Sequence, residues 1–276
     1  MLKTILTKNL THLSGVYALL IIEYALISIM PTITGKIVDA LLTGAFFWPI
    51  VAELGSHWIL VGIICLRRVL DTRIFSRIWV KTAVDIVVSL LERGMERSAI
   101  VTRSLLSERL VDVFENTIPL LVQTIFMIVG AIVALSVVLR WWSLLVVIVG
   151  VGISLYIEVT TTRINGALDQ STQDCRERIN KHILSGSTRV VQEAYEAMGR
   201  TYVQISDLDA ARIGGVEFLH SIAYCLVMVD LVGQGSTAGG ILAMLMYCER
   251  AFNYCHVSGT CFIQVQHAIV AEKRLK

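Results

Sequence analysis

Charge is scarce in this chain. Of its 276 residues only 17% are Asp, Glu, Lys or Arg, against about a quarter in soluble domains. Proline is scarcer, with three residues, and low-complexity sequence is slight, which excludes a disordered or fibrous protein. The net charge of +2 is too small to argue for nucleic acid. No hydrolytic or redox constellation is visible, because serines and histidines are scattered without a nucleophile motif. Nor do the six cysteines make a disulfide framework. Cys65, Cys225, Cys248, Cys255 and Cys261 lie in apolar segments and Cys175 in a polar one, where thiols normally stay reduced.

What remains is apolar. Hydrophobic residues make up 55% of the chain and its mean hydropathy is +0.69, more apolar surface than one water-soluble core can hide. The sequence reads as an all-α, polytopic membrane protein with hydrophobic cores at 16–37, 50–66, 118–139, 141–157, 218–232 and 241–262. Six spans in 276 residues allow 46 residues each, whereas about 20 cross a bilayer. The excess is concentrated in two polar arms, 67–117 and 158–217, while the link between spans three and four is little more than Arg140-Trp141-Trp142. Long and short links alternate, so the arms project on one side.

Lys and Arg indicate which side. Of the 24, Lys36 and Arg140 fall on the short-loop face and Arg250 lies inside span six; the rest lie in the N-terminal segment, the arms or the tail. The positive-inside tendency then makes both termini and both arms cytoplasmic, in a bacterial inner (plasma) membrane. Trp48, Trp58, Trp141 and Trp142 form an outer aromatic belt, with Trp79 left on an arm. The N-terminal apolar run lacks a small-x-small cleavage site and reads as a retained first span.

Within the first arm, Ile74, Ile78, Val84, Val87, Val88 and Leu91 recur at helical spacing. The pattern predicts a helix leaving the membrane, a turn near 94–107, and a helix returning. The second arm repeats the design from Arg163 to Arg212, with Gly186 or Gly199 near its tip. Arms of this length are too long for ordinary loops. Their apolar stripes need each other or another subunit, as a stalk or as a docking platform for a motor.

Three segments carry a resemblance. They are Met30-Pro31-Thr32-Ile33-Thr34-Gly35-Lys36-Ile37-Val38-Asp39-Ala40-Leu41-Leu42, Ser107-Glu108-Arg109-Leu110-Val111-Asp112, and Gly235-Ser236-Thr237-Ala238-Gly239-Gly240-Ile241-Leu242-Ala243. In this order, with arms of matching length, the chain resembles the six-helix transmembrane domain of ATP-binding-cassette exporters. The Met30–Leu42 segment is similar to that family's proline-closed first helix with its glycine and aspartate. The Ser107–Asp112 segment resembles the return of the first arm into helix three, and Gly235–Ala243 the turn between helices five and six. The resemblance implies a domain-swapped homodimer of twelve helices around an alternating-access cavity. It also implies an ATPase domain after the sixth helix, but the sequence ends at Ala271-Glu272-Lys273-Arg274-Leu275-Lys276. Gly35-Lys36 is the sole Gly-Lys pair, with Met30 where a phosphate loop has its first glycine and Ile37 where it has Ser or Thr. Leu13-Ser14-Gly15 is only a fragment of the ATPase signature. No nucleotide-binding domain, enzymatic activity or cofactor is therefore expected of this polypeptide.

Four intramembrane charges mark a coupling or substrate pathway: Glu23 in span one, Asp230 near the outer end of span five, and Glu249 and Arg250 in span six. A charge at mid-bilayer costs about 2.5–3.5 kcal/mol on insertion scales, so it faces protein or water. Glu23 admits three readings: a buried carboxyl, neutral or paired with Arg250; a protonatable carboxylate driving transport; or a cavity wall for a cationic substrate. Asp230 reads as solvated and structural, and Glu158 as an interfacial charge. Tyr24, Asn253 and Ser258 are cavity-lining candidates, with Gln264 and Gln266 as further polar groups of span six. Cys248, Cys255, His256, Cys261 and His267 show no closed zinc spacing, so no metal is expected. The expected function is alternating-access transport of a small molecule or peptide, proton-coupled and ATP-independent. The alternatives are energisation by a separately encoded ATPase docked on the arm tips, and a non-transporting receptor or assembly factor.

Overall fold

Apolar runs almost free of proline build helices. The computed structural model describes residues 10–45, 47–94, 111–185 and 188–275, and among these lie six long α-helices and no strand. They are α1 (Leu10–Leu42), α2 (Phe47–Glu92), α3 (Ile118–Val138), α4 (Trp141–Ser185), α5 (Thr188–Gly233) and α6 (Ala238–Leu275), with a π-helical turn, Val113–Thr117, leading into α3. Helix α3 has 21 residues, about one membrane thickness. Helices α2, α4 and α5 have 46, 45 and 46, about 69 Å at 1.5 Å per residue and more than twice a hydrocarbon core of about 30 Å. The arms are thus continuations of the spans.

The helix ends refine the sequence expectations. Gly94 takes φ +68°, open to glycine without strain, and donates its N–H to the Leu91 carbonyl at 2.9 Å, closing α2. The rest of the predicted first turn, 95–107, lies outside the described residues. Gly199 sits inside α5 and forms no tip, while Gly186 lies outside the described residues. Pro31 does not close α1, which runs through it to Leu42.

Among the described residues five helices are long and apolar enough to cross a membrane, and α6 is not one of them, although 241–262 reads as a span. Glu249, Arg250, Asn253 and His256 lower its hydropathy. Packing explains how α6 tolerates them: it lies against α1, α3, α4 and α5, with Cys248, Ala251, Phe252 and Cys255 at most 1% exposed. Helix α2 is its opposite, leaning mainly on α1 and presenting Trp48, Leu54, Trp58 and Ile59 outward.

Lipid tails are as apolar as leucine, so helices in a bilayer are held by close backbone approach and polar clips. A methyl group on Gly35 or on Gly239 would strike the other's carbonyl oxygen, so α1 and α6 meet backbone to backbone.

Candidate functional site

Glu23 is 4% exposed on α1, and its partner is Arg67 of α2. Arg67 Nε lies 2.5 Å from Glu23 Oε2, its Nη2 3.3 Å from Oε1, and its Nη1 2.6 Å from Asp71 Oδ2. Arg67 and Asp71, four residues apart, share one face of α2, so one guanidinium is gripped by two carboxylates. The pairing of Glu23 with Arg250 is not found. Arg67 opens the first arm in the sequence, but α2 is unbroken there and carries its side chain back against α1.

Arg250 has a different task. Its Nη1 donates to the Ile27 carbonyl at 2.5 Å. Pro31 has no N–H, so the carbonyl four residues earlier, that of Ile27, loses its helical donor. Arg250 supplies the missing donor from α6. An orphaned carbonyl inside a membrane is costly, which accounts for both an intramembrane proline and an intramembrane arginine.

The remaining candidates separate. Asp230 is 2% exposed and not solvated. It accepts from the Arg140 backbone N–H at 3.1 Å and lies 3.5 Å from Arg140 Nε, tying α5 to the link between α3 and α4. Tyr24 is buried against Leu20 and Met127 between α1 and α3. Ser258 donates to the Cys255 carbonyl of its own helix at 2.6 Å. Glu249 and Asn253 are exposed and, four residues apart, share a face of α6. Gln264 accepts from Thr117 at 3.1 Å, and the side chains of Gln266 and His267 lie outside those described. Cys248, Cys255 and Cys261 are buried free thiols, and among the described residues no three His, Cys, Asp or Glu side chains converge on a metal-sized site.

Sequence reasoning missed a second network. Glu158 of α4 is no interfacial charge: it is fully buried, and among the described residues no ionisable side chain is more so. Its Oε2 accepts from Arg212 Nη1 of α5 at 2.7 Å, and its Oε1 lies 2.7 Å from His256 Nδ1 of α6. His256 Nε2 reaches Glu217 Oε1 at 3.7 Å, and His220 Nδ1 lies 3.5 Å from Glu217 Oε2. His220 also stacks on Phe252, with ring centroids 5.2 Å apart. Gly259 makes room: a methyl there would come 2.8 Å from Glu158 Oε2 and 2.9 Å from Thr162 Oγ1.

The network is graded in exposure. The Glu158 side chain is 0% exposed, His256 25% and Glu217 53%. A buried carboxylate is therefore linked through one imidazole to a carboxylate in contact with the surroundings. Imidazole is the side chain that ordinarily changes charge between about pH 5 and 8. His256 is within hydrogen-bond distance of Glu158, while its contact with Glu217 at 3.7 Å is an ion-pair approach without a hydrogen bond. The only sequence signal for the network was one carboxylate ending an apolar run, and a glycine three residues beyond a histidine.

A family model described as the ABC transporter transmembrane region matches residues 2–240. The chain belongs to that family. No curated protein matches its sequence. Among solved structures it is similar to a bacterial Atm1-family ABC exporter with ATP bound, at 14% identity and a TM-score of 0.68, over 96% of this chain and 53% of that one. The chain thus spans about half the length of that exporter, and at this identity the likeness shows the exporter fold.

Two of the three segments that carried the family resemblance meet in space. Asp39 Oδ2 accepts from Thr237 Oγ1 at 2.6 Å, and Asp39 Oδ1 accepts from the Gly239 N–H at 2.8 Å. The carboxylate caps the start of α6, where the first turn leaves N–H groups unpaired. Thr32 and Tyr247, 2.8 Å apart, add a clip further along the same pair. In this family member the short-loop end of α1 and α6 is a rigid latch.

Proposed function

We propose that the chain moves a small molecule or peptide across a membrane by alternating access, as a homodimer with termini and arms on the cytoplasmic side. The exporter fold and the family support transport, and the outward apolar faces of the arms, including Val84, Val88 and Leu91, support a second copy. Glu249 and Asn253, exposed on one face of α6, are proposed to line the substrate path. Proton movement is the proposed energy source, and the buried Glu158–His256–Glu217 path carries that reading. Arg212, Asp209 and His220 from α5 are the other charged or titratable groups beside it. Glu23 is proposed as a second proton acceptor, since neutralising it would release Arg67 to Asp71.

The test uses proteoliposomes holding the full chain, a pH gradient without ATP, and ethidium or a radiolabelled dipeptide as probe. Gradient-driven uptake lost in Glu158→Gln and His256→Asn is the expected result. Uptake equal in wild type and both variants would remove the network from the mechanism. A second reading, a separately encoded ATPase acting on the arms, is favoured by the family match. Flux that appears only with that ATPase and ATP would establish it.

A further inference from the structure

Between the arm-side half of α2 and the π-helical turn lies a cavity of about 340 Å³, within the range of small-molecule sites. Trp79 of α2 supplies the exposed aromatic side, backed by the buried Phe75, with Thr72 beside them; Asp112, Glu115 and Asn116 come from the other wall. None of its eight lining residues is Lys, Arg or His. Asn116 Nδ2 donates to Asp112 Oδ1 at 2.6 Å, and among the described lining residues no cation faces the two carboxylates. Asp71, adjacent to Thr72, is 1% exposed, and its Oδ1 has no hydrogen-bond partner because Arg67 occupies Oδ2.

The backbone adds a second observation. Residues 113–117 form a π turn, closed by the Ile118 N–H bonding back to the Val113 carbonyl. Such a turn inserts one residue and is frequent at functional sites. Here it sets Asp112, Glu115 and Asn116 along the cavity wall. An aromatic face and carboxylates attract the same ligand, because the ring quadrupole and the carboxylate both favour positive charge. A neutral isostere gains only the apolar contact with the ring, and an anion is repelled by the carboxylates.

We propose that this cavity is a binding site for a small organic cation with an ammonium head, its apolar body lying on Trp79. The proposal does not rest on the transport reading. It is tested by calorimetry on the purified full chain in a non-ionic detergent, with benzyltrimethylammonium as probe and neopentylbenzene, its neutral isostere, as competitor. Saturable binding of one cation per chain is expected, weakened about tenfold or more by Glu115→Gln, since a hydrogen bond or contact to a charged group is worth about 1.5–3 kcal/mol. Asp112→Asn should act in the same direction, and Trp79→Leu should cost about threefold or more. Thermal melting confirms that each near-isosteric variant folds. Displacement by a short-chain phosphatidylcholine would identify a lipid headgroup as the cation, and lack of displacement a free amine. Equal affinity for the neutral isostere, or cation binding unchanged in both carboxylate variants, would overturn the site.

Discussion

The bundle holds two buried charge networks, and they are built on opposite plans. The α1–α2 network is Glu23, Arg67 and Asp71: one guanidinium, two carboxylates and no imidazole. It spans only two helices, and its Arg67 side chain is 12% exposed. The α4–α5–α6 network of Arg212, Glu158, His256, Glu217 and His220 contains two imidazoles and opens from a sealed carboxylate to an exposed one. A guanidinium stays charged at any physiological pH, so the cation of the first network is fixed and only its carboxylates are open to a proton. The second joins three helices and sets two imidazoles among its carboxylates. Similar ingredients thus give a two-helix clip in one place and a three-helix chain, the proposed proton path, in the other.

The largest effect should come from breaking the two-helix clip. Arg67→Met leaves Glu23 and Asp71 buried together without a cation, and removal of one partner from a buried pair costs about 3–5 kcal/mol. Thermal unfolding in detergent should show the loss at neutral pH. A melting temperature within a degree or two of wild type would mean that water already reaches the pair.

Arg250 offers a sharper break, because its partner is a backbone carbonyl. Arg250→Met strands the Ile27 carbonyl and should cost about 1–3 kcal/mol. Pro31→Ala restores an N–H to that carbonyl within α1. The double variant should therefore recover most of the loss, and a double-mutant cycle should report coupling of at least about 1 kcal/mol. Additive losses would separate the arginine from the proline.

These cases show what the sequence could and could not disclose. Six helices and excess length beyond a bilayer were legible, because hydrophobic periodicity and link lengths report local geometry; the two segments that form the α1–α6 latch stood out only as a family resemblance, and their meeting was not read. The Pro31–Arg250 pairing was not, since the two residues lie far apart in sequence and each has several bland explanations alone. Glu158 was misread for a related reason: it ends an apolar run, and the donors that bury it come from two other helices. The polarity of α6 concealed its enclosure, because hydropathy measures a helix against lipid and α6 is surrounded by protein. Charges are legible by position, but their partners are fixed only by packing.

Gly259 tests the room left for the proton path. Gly259→Ala places a methyl against Glu158 Oε2 and Thr162 Oγ1, and overpacking of this kind costs about 1–3 kcal/mol. Gly62→Ala, with nothing within 4 Å of the added methyl, is the matched control and should be silent or slightly stabilising, as helix propensity directs. Equal stability of the two variants would show that Glu158 has space to move aside.

The smallest effect on stability should come from the exposed end of the path, and it separates the two networks most cleanly. Glu217 is 53% exposed, and such surface partners contribute about 0–1 kcal/mol. Glu217→Gln should therefore melt close to wild type, unlike Arg67→Met. If the network passes protons, the same variant should slow gradient-driven uptake, because His256 then loses the carboxylate that faces outward from the bundle. Stability kept with flux lost is the signature of a path. Stability and flux both kept would reduce the second network to another fastener, since a clip has no need of its exposed end.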